Sequence, residues 1–325
     1  MAKVIITQPL PPALLEQWRG VLGPAHQIEV SNSADLAGFA QSTADAAALI
    51  NLWQGVDTAL LQVVPQVRFI QQLSVGYDHL DLAAIAQAGV LLANTPGGNT
   101  TGVAEHTILL MLALLKRFPQ AEQAARANTW ATFTLQQAGL GDLATATVGL
   151  IGFGTIGRAV AERLRPFGPR LLYTARHRAD AATETRLGAQ YVSLSELLAS
   201  ASIISLHLPL DGQTRHLLGQ QEFAAMRPGA LLVNTARGAL IDEQALRQAI
   251  TDGRLAGAAL DVLEQEVDGG NPFTDLPQVI VTPHIAGISR ASVAQITQMG
   301  INNIARFLRG ESPEHLVALP SSPGD

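Results

Sequence analysis

The chain has 325 residues, 47% apolar and only 15% charged. That length favours two domains, and the balance excludes disorder for most of the chain. Its 21 basic and 27 acidic residues leave a net charge of −6, which speaks against a nucleic-acid-binding surface, and with no cysteine there are no disulfides and no cysteine-ligated zinc or iron–sulfur centre. The start of the chain reaches Pro9, Pro11 and Pro12 without the apolar region of a signal peptide. The strongest apolar run, 108–115, is too short to span a bilayer, so a cytoplasmic protein with neither membrane nor nucleic-acid partners is expected.

Apolar runs at 4–7, 48–50, 67–70 and 90–92 read as buried strands, with helical patterns at 13–20 and 82–88 between them. A turn-rich stretch, 94–101, then suits a domain crossing and leads into a long helical pattern at 102–118 with little polar surface. Further strands are expected at 147–151, 171–173, 203–206, 230–233, 258–261 and 279–281, with a helix at 157–165. A second long helix is expected at 288–308, and the proline-containing stretch 312–325 reads as a loose tail. Strands that alternate with helices, and are apolar at nearly every position, imply α/β architecture with parallel sheets covered on both faces. Two long helices at the crossings make the first domain discontinuous: 1–100 with 287–325, and an inserted domain over 101–286.

The strongest motif is Gly152-Phe-Gly154-Thr-Ile-Gly157, between an expected strand and an expected helix. In that context Gly152 permits a tight turn, Gly154 lets a pyrophosphate approach the backbone, and Gly157 lets helix and strand pack closely. The N–H groups of Thr155 and Ile156 at the helix start then face the phosphates. An NAD site usually carries an acidic residue after the second strand. Here Thr174-Ala-Arg176-His-Arg178 follows, and the first carboxylate is Asp180. Arg176 and Arg178 suit a 2′-phosphate, so NADP(H) is favoured. Thr174 keeps NAD(H) possible.

Three further polar positions follow strands of the same domain. Arg237 comes after 230–233, Asp261 ends 258–261 with Glu266 five residues on, and His284 follows 279–281. Singly, an arginine or glutamate in a loop is most often a surface charge and a lone histidine a structural one. Together, beyond the carboxyl ends of successive strands, they match hydride chemistry on a 2-keto acid. His284 would give the proton, Glu266 would orient its ring, and Arg237 would grip the keto oxygen and carboxylate. No metal site is expected.

The ordered motifs Ser74-Val-Gly-Tyr-Asp-His-Leu-Asp81, Asn94-Thr-Pro to Val103-Ala-Glu-His106, Gly149 to Gly157, Ile203 to Pro209, Met226 to Gly238, Gly257 to Glu266 and Thr282-Pro-His284 span most of the chain. The chain resembles the D-isomer-specific 2-hydroxyacid dehydrogenases. The resemblance implies a Rossmann cofactor domain inserted into a discontinuous flavodoxin-like substrate domain, and a homodimer. It places the catalytic roles on Arg237, Glu266 and His284. It implies cofactor contacts at Thr155, Ile156, His207, Pro209, Thr235, Asp261 (to the nicotinamide amide) and Gly287. Substrate-carboxylate contacts fall on the amides of Val75 and Gly76.

Trp53, in the loop 51–54, would shape the substrate pocket or sit in the core. Trp130 lies in the segment that crosses to the partner in relatives. The stretch 173–178 is most similar to NADPH-preferring glyoxylate/hydroxypyruvate and 2-ketoaldonate reductases. Val267 departs from the proline usual after the catalytic glutamate. Val75 replaces the lysine of phosphite-oxidising relatives, and no added regulatory domain is expected after Leu308. An NAD-dependent D-lactate-type dehydrogenase is the nearest alternative. A dinucleotide-sensing, corepressor-like binding protein is the alternative from another class.

Overall fold

The computed structural model describes residues 2–31, 39–40, 43–266 and 270–320; Val267 lies outside them. The chain divides into two units, Met1–Asn99 with Arg290–Asp325, and Thr100–Ser289.

The first unit is built from β1 (Ala2–Ile6), α1 (Pro12–Leu22), β2 (His26–Val30), β3 (Ala46–Asn51), α2 (Thr58–Val63), β4 (Phe69–Gln72), α3 (Leu82–Gln87) and β5 (Leu91–Ala93), completed by the helix Arg290–Leu308. Its five strands are parallel in the order β2-β1-β3-β4-β5, the flavodoxin-like winding. Side chains alternate across the sheet, so the apolar runs serve two cores. Val4, Ile6, Ile50 and Phe69 meet Trp18 of α1 and Ile301 and Ile304 of the C-terminal helix. Ile5, Leu49, Ile70 and Leu92 face Leu60 of α2 and Ile85 of α3.

In the second unit, α4 (Thr100–Leu115), α5 (Phe118–Arg126) and α6 (Thr132–Gln137) precede β6 (Thr147–Ile151), α7 (Thr155–Leu164), β7 (Arg170–Thr174), α8 (Ala181–Leu187) and β8 (Ala189–Tyr191). Then come α9 (Leu194–Ser200), β9 (Ile203–Leu206), α10 (Gln220–Ala225), β10 (Ala230–Asn234), α11 (Glu243–Thr251), β11 (Leu255–Leu260) and β12 (Val279–Val281); the helix Arg290–Leu308 is α12. The seven strands are parallel in the order β12-β11-β10-β9-β6-β7-β8. This is the Rossmann winding with one further strand, and its direction reverses between β6 and β9. Helix α4 is apolar nearly all round because it lies against α7, β10 and β11, burying Ala104, Ile108 and Met111 with Val148, Leu150 and Val160. The opposite face packs Leu172, Ile204 and Leu232 against Leu197, Phe223 and Leu246.

Two strands have no counterpart in the sequence reading, β2 and β8. Each is at a sheet edge, and its alternating polar residues lack the continuous apolar signature of the inner strands. The expected loose tail is corrected over 312–320. Leu316 bridges Ala93 in antiparallel fashion, and the Val317 N–H donates to the Leu92 carbonyl (2.8 Å). Asn303 of α12 exchanges hydrogen bonds with the backbone of Glu314 at 2.9 and 2.8 Å. Residues 321–325 lie outside the described ones. Among the described residues, no helix is long and apolar enough to cross a membrane.

Candidate active site

The glycine-rich turn follows β6, at the point where the strand order reverses. Gly152 has φ +98°, and a Cβ there would stand 2.2 Å from the carbonyl oxygen of His207 after β9. A Cβ on Gly157 would meet the Gly152 carbonyl oxygen at 2.3 Å. These two glycines are therefore required by the protein's own packing. Gly154 is different. Its φ of −78° suits any residue, and a Cβ would have nothing within 4 Å. Nothing inside the protein explains a glycine there, whereas a phosphate approaching the first turn of α7 does. Beside this turn, His207 Nε2 lies 3.0 Å from Ser205 Oγ, and its buried Nδ1 has no protein partner. Burial pushes the imidazole down to about 4, so His207 is neutral near pH 7 and brings no charge to the phosphates. An orphaned ring nitrogen, a side-chain-free cradle and a helix N-terminus together fit a dinucleotide.

The structure gives the two arginines after β7 different surroundings. Arg178 makes a two-pronged pair with Glu184 (2.9 and 2.8 Å) and lies over the Tyr191 ring. The Arg178 guanidinium, with the Tyr173 hydroxyl, lowers the Glu184 carboxyl to about 2. Arg176 is 60% exposed and, among the described residues, pairs with the surface carboxylate of Asp211. Asp180, the first carboxylate after the strand, is occupied as the N-cap of α8, accepting from the Thr183 N–H at 2.8 Å.

Beyond β10, the buried Asn234 shapes the loop that carries Arg237. Its amide donates to the Arg237 carbonyl (2.7 Å) and its oxygen accepts from the Ala236 N–H (3.0 Å). The guanidinium of Arg237 donates to the Ala236 carbonyl at 2.7 Å. A Cβ on Gly238 would stand 2.0 Å from the Leu263 carbonyl carbon, so only glycine lets the Arg237 loop lie against the segment leading to Glu266. Thr235 places its hydroxyl 2.9 Å from that of Thr107 on α4, and the Pro209 carbonyl accepts from Thr214 Oγ1.

His284 Nδ1 lies 2.7 Å from Glu266 Oε2. A carboxylate only accepts, so Nδ1 carries the hydrogen. His284 itself has φ +53°, a left-handed backbone that is uncommon for a residue with a Cβ. Asp261 holds it. Its main-chain oxygen accepts from the His284 N–H (2.9 Å), Oδ1 from the Ile285 N–H (3.0 Å), and Oδ2 from the Ala286 N–H (2.8 Å). Thr282 Oγ1 donates to Oδ1 at 2.5 Å. Since that hydroxyl spends its hydrogen on Asp261, His106 on α4 must donate from Nε2 to Thr282 Oγ1 (3.1 Å). Gly287 closes the turn that follows, between the Ile285 carbonyl and the Ile288 N–H. In the sequence alone, His106, Thr282, Asn234 and Gly238 have no assigned role. The available signals were a polar residue in an apolar helix and an Asn and Gly flanking the arginine.

In the first unit, Val75 and Gly76 follow β4. Trp53 is 57% exposed, so of the two alternatives it is not a core residue. Trp130 is 89% exposed.

Residues 108–286 match the family description "D-isomer specific 2-hydroxyacid dehydrogenase, NAD binding domain". The chain belongs to that family. A D-2-hydroxyacid dehydrogenase of this build is an oxidoreductase with a nicotinamide-binding domain. It is 37% identical over 276 residues to a glyoxylate reductase of Thermococcus litoralis, covering 82% of this chain and 83% of that one. A solved glyoxylate reductase from Paecilomyes thermophila superposes with TM-score 0.86 at 29% identity, over 98% of each chain. An acyclic imino acid reductase, solved in complex with NADPH and D-Arg, gives TM-score 0.84 at 25% identity, over 97% of this chain and all of that one.

The contrast among the glycines is directly testable. Gly154→Ala is expected to leave the thermal midpoint within about 2 °C but to weaken dinucleotide binding at least tenfold by calorimetric titration. Gly152→Ala is expected to destabilise the fold itself, by about 1–3 kcal/mol or more in denaturant unfolding. Equal dinucleotide affinity in Gly154→Ala and the parent protein would remove the argument for the phosphate cradle.

Proposed function

We propose that this protein reduces a small 2-keto acid of the glyoxylate or hydroxypyruvate type to the D-2-hydroxy acid, with NADPH as the preferred reductant. The observation that carries the reading is the His284–Glu266 pair (2.7 Å) on the same sheet as the glycine-rich turn, with Arg237 on the neighbouring loop. A reduced nicotinamide bound at the glycine-rich turn would supply the hydride that the carbonyl carbon takes up. His284 Nε2 gives the proton that the carbonyl oxygen takes up, so the ketone gains one hydride and one proton and becomes the alcohol. Glu266 holds the Nδ1–H and keeps the ring oriented through that transfer. Arg237 meets the substrate's negative charge and steadies the charge developing on the oxygen. Val75 and Gly76 offer backbone amides to the substrate carboxylate, and Trp53 shapes the pocket wall. The buried Asp261 carboxylate, while holding the His284 loop, retains acceptor capacity for the nicotinamide amide.

The test is a panel of glyoxylate, hydroxypyruvate, pyruvate and 2-ketogluconate, followed by NADPH and NADH absorbance. Turnover is expected with the two smallest hydroxy- or hydrogen-substituted acids, and His284→Ala should cut kcat by about 10²–10⁴-fold. Tight dinucleotide binding with no turnover across the panel would favour the corepressor-like alternative.

Preference for NADPH rests on Arg176. An exposed ion pair contributes about 0–1 kcal/mol, so Arg176 can leave Asp211 for a 2′-phosphate, while Arg178 keeps the loop in place through Glu184. Arg176→Ala should therefore narrow the NADPH:NADH ratio of kcat/KM by about tenfold, mostly through the NADPH KM. A higher kcat/KM for NADH in the unmodified enzyme would reverse the assignment to the NAD-dependent D-lactate type.

The protein is also proposed to work as a homodimer. Helices α5 and α6 bury none of their residues within the chain, and they and the connection between them expose Phe118, Trp130 and Phe133, the last at 79%. A second copy that covers these rings fits the family's assembly. Sedimentation velocity should show a dimer, and Trp130→Ser with Phe133→Ser should shift it to monomer; a parent protein that sediments as a monomer at micromolar concentration would discard this.

A further inference from the structure

The carboxyl ends of β1, β3 and β4 carry a chain of neutral polar side chains, buried at Thr7, Asn51 and Gln72 and half-buried at Ser74. Thr7 Oγ1 donates to Asn51 Oδ1 (2.9 Å), and Asn51 Nδ2 to Gln72 Oε1 (2.7 Å). Gln72 Nε2 donates to Ser74 Oγ (2.8 Å), which in turn donates to the Gly76 carbonyl (2.5 Å). The direction of every bond is fixed by its neighbour, because each hydroxyl has one hydrogen and each amide oxygen only accepts. The same amides also hold the loop bearing Trp53. Asn51 Nδ2 donates to the Gln54 carbonyl (2.9 Å) and Gln72 Nε2 to the Leu52 carbonyl (2.6 Å).

Where this chain ends, three successive carbonyls are tied back, two of them by the segment after β5. The Ser74 carbonyl accepts from the Thr95 N–H (3.1 Å), and the Val75 carbonyl from Asn94 Nδ2 (2.7 Å). The Gly76 carbonyl accepts from Ser74 Oγ. All peptide bonds among the described residues are trans, so each N–H points opposite to its preceding carbonyl. The N–H groups of Val75 and Gly76 are thereby turned away from the 94–95 segment. Neither donates to a protein acceptor among the described residues. Consecutive amides with their carbonyls tied back form a receptor for an anion.

We propose that Asn94 and Ser74 are positioning residues for the receptor of the substrate carboxylate: Asn94, through the Val75 carbonyl, locks the Gly76 amide outward, and Ser74, through the Gly76 carbonyl, holds the next peptide plane; this rests on the keto-acid reading given above. Neither touches the substrate. Each acts by preventing rotation of a peptide plane that would otherwise turn a carbonyl oxygen toward the carboxylate, so binding finds its donors already oriented.

The test compares Asn94→Ala, Ser74→Ala and Ser74→Thr in the full-length holoenzyme. Losing a net hydrogen bond is expected to raise the glyoxylate KM about five- to tenfold. The rise should fall on KM rather than kcat, with the NADPH Kd unmoved, and Ser74→Thr, which keeps the hydroxyl, should restore the KM. A KM in Ser74→Ala and Asn94→Ala equal to that of the parent would overturn the proposal, as would an equal rise in Ser74→Thr. Oxamate titration of the ¹⁵N-labelled protein gives an answer without turnover. The Val75 and Gly76 amide resonances should move in the parent and move less in Asn94→Ala. If they stay fixed in the parent, the receptor is disproved even where glyoxylate is reduced. If they move in a protein that reduces no keto acid, the receptor stands and the functional reading fails.

Discussion

The proposed proton donor depends on one buried carboxylate. Asp261 is 1% exposed, and removing such a group from water costs several kcal/mol unless its oxygens are hydrogen-bonded. They are, by two backbone N–H groups and the Thr282 hydroxyl. Hydrogen bonds to a charged acceptor contribute about 1.5–3 kcal/mol each. Holding a non-glycine residue in the left-handed region costs about 1–3 kcal/mol. The bonds to one carboxylate are therefore enough to keep His284 in a conformation it would not choose alone. The extended run of donors, from His106 through Thr282, connects that loop to α4, the most buried helix of the unit.

Close backbone approach is the second constraint on this sheet. Gly152 against His207, and Gly238 against Leu263, bring loops from different strands to distances that no side chain would allow. The first fixes the glycine-rich turn, the second sets the arginine loop against the segment that ends in Glu266. Both consist of backbone alone, so substitutions elsewhere leave them intact and substitution at the glycine does not.

Much of this was legible in the sequence. Inner strands such as Ile203–Leu206 and Ala230–Asn234 are apolar at nearly every position because both faces are covered, and that signature identified them. Arg237, Glu266 and His284 were legible because each follows a strand. The edge strands β2 and β8 were not, since exposure on one side breaks the apolar run. The amide chain from Thr7 to Ser74 was hidden because its members lie 44, 21 and 2 residues apart, and glutamine in a strand carries no local signal of a partner. The differing fates of Arg176 and Arg178 were hidden for the same reason. Glu184 and Asp211 come near only once the sheet has formed.

The segment 312–320 is joined to β5 and to Asn303, while the strands it completes were made some two hundred residues earlier. During synthesis the N-terminal portion emerges with its sheet but without α12, so Phe69 and Leu73 lack the cover that Ile301 and Ile304 provide. The unit Thr100–Ser289 is contiguous and carries no such debt to later sequence. It can close first, while the opening hundred residues wait for the last helix. A nascent chain of this protein thus acquires its dinucleotide fold before the other unit is whole, and the early strands are the part that needs shielding on the ribosome.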